Sequence, residues 1–370
     1  MKVIKHNIAD FQKDASFYGK LDLLLTVKSF DLQAIRKRYL SSRANKTGKT
    51  GSVERRKPSK GGVVSIQIES GEITDQTILA QLFEPRGIDS FKNKLAIAAE
   101  NTVHVFDEEG EYFRITDPWF SYIHTVEFSP HKPDTILISS SGFDLIQEYN
   151  YKTNELEFEW LAWENGFNKA TDPETNEEIL LTRNTEDAKY LKKEKVNYYL
   201  VSNPEQDHLP TAKRAAFINS VSYHPNSDFL LLATFFHEGK VYEINKKTKK
   251  ASAIIEDLKN PHGGHKTDYG YIATSTASGE VIIESKDTKL ILDFSRLQGK
   301  PSELGDMEWI QNTLSKNQLM VAIDSNRTSF VVIDFEQQLY DMIPYNHNWA
   351  VQDLIFGKAT KEQKKKLSLV

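Results

Sequence analysis

The stretch Tyr122–Trp160 reads YIHTVEFSPHKPDTILISSSGFDLIQEYNYKTNELEFEW. YIHTVEFS alternates apolar and polar side chains until Pro130, Pro133 and Asp134 end the run. DTILISSS is apolar and β-branched at its centre, and Gly142 follows it. DLIQEYNY alternates again, Lys152–Asn154 make a turn, and ELEFEW closes the unit. Period-two runs between Gly, Pro, Asn and Asp are the pattern of antiparallel strands. Four such strands in about 40 residues make one blade of a β-propeller if the unit recurs.

It recurs. PRGIDSF, KLAIAAE, TVHVFDEEG and YFRIT follow from Pro85, and FINSVSYHP, FLLLATF, GKVYEINKKT and ASAII from Phe217. PHGGHKTDYG, YIATST, GEVIIES and KLILDF follow from Pro261, and GDMEWIQNT, LMVAIDS, TSFVVIDF and QLYDMI from Gly305. Most units start about 37–45 residues apart, the spacing of propeller blades. The step from Ile123 to Phe217 is longer and carries an insertion.

The ends of the chain are complementary. Lys20–Ser29, Gly61–Gly71 and EITDQTIL supply three strands with no innermost one before them. Asn348–Gly357, NWAVQDLIFG, is a lone strand with none after it. Pairing the two would complete a sixth blade and remove the exposed edges of an open array. The expectation is therefore an all-β, single-domain, six-bladed β-propeller over residues 1–370, closed by pairing of the C-terminal strand with the N-terminal blade. Residues 1–20 are weakly patterned and read as a strand or arm packed on it.

Bulk properties narrow the classes. The net charge of −5 on 370 residues gives no global pull toward nucleic acid, so that partner is not expected. The absence of cysteine excludes disulfides, thiolate metal sites and a cysteine nucleophile. The first residues lack an apolar leader and no run reaches the length of a membrane span, so a cytoplasmic protein without membrane contact is expected.

Three segments fall outside the repeat. Residues 36–62 hold ten Lys/Arg and a single Glu and read as a solvated basic loop, with an anion clamp or a weak nucleic-acid contact as the functional alternatives. Residues 161–216 form a lid-like insertion. The Lys-rich residues 358–370 read as a flexible tail. The connections that carry the two insertions leave a propeller on the same face, so both should flank one mouth of its channel.

The starts of the inner strands should converge at that mouth. They offer Arg86 and Asp89; His124 and Glu127; Asn219 and Ser220; His262 and His265; Asp306 and Glu308; His347, Asn348 and Gln352. Convergent polar groups in a concave site point to a ligand. Histidine serves as base, nucleophile or metal ligand near neutral pH. His124, His262, His265 and Glu308 would suit Zn, Fe or Mn. His104, His131, His208, His224 and His237 read as outer-strand or loop residues.

Two stretches resemble the arylsulfotransferase-type propellers: IHTVEFSP through ELEFEW, with its His-led inner strand and terminal Trp, and FINSVSYHP through VYEIN, around Asn219–Ser220. Phe217 stands where that family's pattern has a His, and Phe235 and Phe236 lie near the place of its Arg. The resemblance implies a His-bearing central site that handles an anionic group, without sulfuryl transfer itself. PRGIDSF through VHVFD is similar to NHL-type blades and implies the fold alone.

The leading expectation is an enzyme acting on a small polar, anionic or aromatic molecule in the channel, as hydrolase, lyase or transferase. His124 and His262 would act as base, nucleophile or metal ligands. Arg86 and Asn219 would orient an oxyanion, and Asp89 or Glu308 would complete the site. Phe217, Phe235, Phe236 and Trp349 would wall it. The rival is a non-catalytic propeller scaffold for protein–protein contacts.

Overall fold

Meanders of consecutive antiparallel strands fill most of the computed structural model, which describes residues 1–43, 49–54 and 57–370. Ile123–Phe128, Thr135–Ser140, Leu145–Asn150 and Glu155–Leu161 form one sheet in chain order. Four other sheets repeat this order, with first strands Pro85–Phe91, Ile218–His224, Pro261–Thr267 and Ile310–Lys316. The sixth takes its first strand from the far end of the chain. Ala350–Phe356 pairs antiparallel with Lys20–Ser29, setting Leu354 opposite Leu25 and Phe356 opposite Leu23, and Lys60–Glu69 and Glu72–Phe83 follow outward.

Packing explains why the middle strands read as unbroken apolar runs. All six residues of Thr135–Ser140 are buried. Ile136 and Ile138 pack with Ala96, Ala98, Val103 and Val105 of the preceding sheet. Leu137 on the opposite face shares a cluster with Ile218, Val221, Leu231 and Ala233 of the following one. A sheet covered on both faces loses its polar alternation. Each such Ile, Leu or Val side chain contributes about 1.5–3 kcal/mol when fully buried.

Side chains tie every first strand to the next. The Ile88 N–H donates to Asp353 Oδ2 (3.4 Å), the Phe128 N–H to Asp89 Oδ2 (2.7 Å) and the Tyr223 N–H to Glu127 Oε1 (3.3 Å). Ser222 Oγ donates to the Gly264 carbonyl (3.0 Å), His265 Nε2 lies 3.4 Å from Ser315 Oγ, and Asn312 Nδ2 donates to Asp353 Oδ1 (2.9 Å).

The N-terminal arm seals sheet edges. Lys2–Asn7 adds in parallel to the outer strand Thr288–Asp293, and Gln12–Lys13 adds to Leu339–Pro344. Both strands serve one edge each, which is why residues 1–20 show no two-faced pattern.

Two segments carry structure that their composition did not suggest. In the tail, Lys361–Leu367 is a helix with a capping box between Thr360 and Gln363. Leu367 is buried among Leu24, Val63 and Leu95, and Gln363 Nε2 donates to the Asn93 carbonyl (2.7 Å). Its lysines face away from that contact, so composition alone suggested fraying. The basic segment is not wholly a solvated loop. Leu32–Arg43 is a helix, α1, and the Arg36 guanidinium is buried, donating to the carbonyls of Ser325 and Asn326 (2.7 Å each). Residues 44–48 and 55–56 of that segment lie outside the described residues. The 161–216 insertion carries a three-stranded sheet and the helix α2, Thr185–Lys193.

Candidate functional site

Every first strand breaks register near its start. The irregularities fall between Pro85 and Ile88, Ile123 and Val126, Ile218 and Ser220, His262 and His265, Ile310 and Thr313, and within Ala350–Asp353. A bulge re-aims a side chain and frees it from the pleat. At or beside these bulges stand Arg86, His124, Asn219, His262, Gln311 and Gln352, one polar residue per strand. Ahead of four of these strands the backbone is left-handed at a residue other than glycine: Glu84 (φ 43°), Tyr122 (49°), Phe217 (51°) and Asn260 (52°). Such backbone is costly for a side chain and collects at functional sites.

Five of the six polar residues line one cavity of about 120 Å³: Arg86, His124, His262, Gln311 and Gln352. One water needs only ~10–15 Å³ on this scale, so a small organic molecule fits. The walls are aromatic. Phe217 and Phe236 pack with ring centroids 4.7 Å apart, Phe217 meets the His124 ring at 5.4 Å, and Phe236 meets the His262 ring at 5.6 Å. Across the cavity Tyr39 of α1 stacks on Trp309 at 4.8 Å.

Both insertions reach the same mouth, where Ile35, Arg38 and Tyr39 of α1, residues 50–52 and Thr211 all line the cavity. The Ala212 N–H donates to the Ser52 carbonyl (3.1 Å). A side chain at Gly51 would lie 2.9 Å from the Ala212 nitrogen, so glycine permits this contact. His237, expected to be an outer or loop residue, is part of the junction. Its Nδ1 lies 3.1 Å from the Arg214 carbonyl and its Nε2 3.4 Å from that of Thr50.

Arg86 dominates the electrostatics. It is 3% exposed and forms an ion pair with Glu84. Its Nη1 lies 3.1 Å from His124 Nε2, and its Nε has no hydrogen-bond partner. The Tyr122 ring meets both the Arg86 and the Arg214 guanidinium, at 5.2 and 4.9 Å. Burial holds the His124 imidazole well below its ordinary pKa, with Arg86 adding to the effect. Burial, and then Lys28, lowers His262 to about 3. His262 Nδ1 lies 2.8 Å from Thr276 Oγ1. Both histidines are neutral near pH 7. Among the described residues the lining holds Lys28, Arg38 and Arg86 and no carboxylate.

Other expected site residues lie elsewhere. Asn219 is buried at its bulge with Nδ2 on the Pro261 carbonyl (2.7 Å) and Oδ1 without a partner. His265, with Nδ1 2.8 Å from the Gly263 carbonyl, lines a second cavity of about 380 Å³ farther along the first strands, with Asp89, Glu127 and Asp353. Glu308 is engaged by Arg327 Nη1 (2.9 Å) and Lys300 Nζ (2.5 Å). Phe235 and Trp349 belong to two separate apolar clusters.

The four expected metal ligands therefore do not form a donor set. A guanidinium occupies His124 Nε2, and among the described residues no group of three or more His, Asp or Glu could hold a metal ion. Gln311 was missed because Gly305–Trp309 is a loop and the strand begins only at Ile310, so Asp306 and Glu308 precede it. Trp309 Nε1 donates to Gln311 Oε1 (2.8 Å).

No protein-family model and no curated protein matches the sequence. Among solved structures, the chain is similar to one in a crystal structure of a nidogen/laminin complex, at 9% identity and a TM-score of 0.53, covering 92% of this chain and 99% of that one. A protein of unknown function from Bacteroides caccae gives 9% identity and a TM-score of 0.51, covering 91% and 98%. Virginiamycin B lyase from Staphylococcus aureus matches at 9% identity and a TM-score of 0.41, covering 68% and 67%. With the repeated four-stranded sheets, the first two likenesses show a β-propeller fold and nothing narrower. No helix among the described residues is long and apolar enough to cross a membrane.

Proposed function

We propose that the six four-stranded sheets are blades of a closed propeller, and that the covered end of its channel binds and acts on a small organic anion. Closure is supported by the pairing of Ala350–Phe356 with Lys20–Ser29 and by the ties that run from each first strand to the next. The observation that carries the ligand reading is Arg86. It is a nearly buried guanidinium with an unpartnered Nε, in a cavity lined by two further cations and no described carboxylate. Buried charge is stable only when paired, and Glu84 pairs with Arg86 without engaging its Nε.

On this reading the enzyme works by positioning and acid–base chemistry, as hydrolases, lyases and transferases do. Arg86 holds the anion, and His124 braces Arg86. His262 starts neutral with a depressed pKa. An anion bound beside it raises that pKa toward neutrality, where proton transfer is most effective.

The test is a thermal-shift and calorimetric panel of small carboxylates, sulfates and phosphates. At least one should raise the melting temperature of the natural protein, and Arg86→Met should abolish that rise while staying folded. A panel that leaves the melting temperature unchanged throughout would overturn the reading and favour the protein–protein scaffold.

A further inference from the structure

The lining of the covered cavity narrows the ligand beyond its charge. Gln352 is 5% exposed and lines the cavity, and its Oε1 has no hydrogen-bond partner. Its neighbour in the order of first strands is Arg86, whose Nε is a donor without a partner. The lining thus includes one unanswered acceptor and one unanswered donor, on neighbouring first strands. Leaving either unpaired in a buried place costs free energy that a ligand group recovers.

Gln311 does not duplicate this. Its Oε1 already accepts the Trp309 N–H at 2.8 Å, which leaves its amide nitrogen to donate. The same cavity is lined by Phe217, Phe236 and the Tyr39–Trp309 stack. An aromatic lining favours a flat guest. A cavity of about 120 Å³ is of a size for a single ring.

We propose that the ligand is a single-ring aromatic carboxylic acid that also carries a hydrogen-bond donor, a hydroxyl or amino group, on the ring. The carboxylate meets Arg86, the ring lies against Phe217 and Phe236, and the ring donor meets Gln352 Oε1. The inference rests on the anion reading above and adds the ring and the donor to it. Gln352 is then the residue that sets specificity.

Isothermal titration of the full chain with sulfate, cyclohexanecarboxylate, benzoate, 3-hydroxybenzoate and 4-hydroxybenzoate tests it. Benzoate should bind about tenfold more tightly than sulfate or cyclohexanecarboxylate. One of the hydroxybenzoates should gain about another tenfold, the usual effect of satisfying a buried acceptor. Gln352→Met should erase the hydroxyl preference and change benzoate affinity less than twofold. Gln352→Asn serves if the Met variant does not fold, and should reduce the preference in the same way. Sulfate binding as tightly as the hydroxybenzoates would overturn the ring-and-donor inference and leave the anion site standing. A hydroxyl preference that survives both substitutions would remove Gln352 from the role. Failure of all five probes would remove the inference together with the anion reading.

Discussion

Arg86 Nη1 sits 3.1 Å from His124 Nε2, while His124 Nδ1 is 3.2 Å from the Tyr122 carbonyl oxygen. The guanidinium nitrogen is also 3.3 Å from Nδ1, and the tautomer these contacts fit has Nδ1–H donating to Tyr122 and Nε2 accepting from Arg86. Arg86→Met should raise the His124 pKa, yet leave it below the ordinary histidine value, because burial is the larger cause of the depression. Nitrogen chemical shifts of the imidazole against pH would show the rise. An unchanged value would mean the guanidinium does not act on this ring.

His262 responds to occupancy on the same logic. Burial and Lys28 hold it at about 3, and an anion placed between it and Arg86 should raise that value by at least one unit. Titrating its ring signals with and without saturating benzoate checks this. A downward shift would place the anion elsewhere.

The carboxylates of the second cavity predict a pH dependence of stability. Burial raises Asp89 to about 6 and Asp353 to about 7. A carboxyl whose folded pKa lies above its unfolded one stabilises fully below the unfolded value. That contribution is lost as pH rises through the folded value. Between pH 5 and pH 8 the natural protein should therefore lose melting temperature relative to an Asp89→Asn/Asp353→Asn variant, by roughly 2–4 °C once solvent in the channel is allowed for. Parallel curves would show that neither group titrates in that window.

Leu367 tests the docked tail. It is 1% exposed against Leu24, Val63 and Leu95. Leu367→Ala should cost about 2–3 kcal/mol in urea unfolding if the helix holds its place in solution. A frayed tail would give a change near zero.

Arg36 tests the cover. Its guanidinium satisfies the carbonyls of Ser325 and Asn326 and fastens α1 across the cavity. Arg36→Met should speed amide exchange through Leu32–Arg43 and weaken benzoate binding several-fold, with strand amides unchanged. Equal exchange in both proteins would assign the anchoring to Leu32 and Ile35 instead.

The sheets were legible because alternation and turn residues are local signals. The pairing of the two termini was legible because three strands at one end lacked a partner that the other end offered. Most of the cavity ring could also be read, since Arg86, His124 and His262 stand at the starts of strands. Four things could not be read. The bulges decide which of two neighbouring residues turns inward, so His265 and His262 looked equivalent. The loop before Ile310 shifted the fifth strand, so Glu308 displaced Gln311 in the reading. The helical basic segment and docked tail bury a few residues, Arg36 and Leu367 among them, within runs whose composition is that of solvated chain. Phe235 is not a wall because, one place before Phe236 at the end of its strand, it points into the core between sheets, and Trp349, ahead of its strand, packs in another apolar cluster.

The seating of the N-terminal arm has a consequence for biosynthesis. The Tyr18 hydroxyl bonds to Asp341, 323 residues later, and Lys20–Ser29 obtains its innermost neighbour only from Ala350–Phe356. Throughout translation the earliest strands must wait beside the ribosome with an open, apolar flank. Any nascent chain that stops short of the last twenty residues emerges adhesive, and is a natural client for chaperones or proteases.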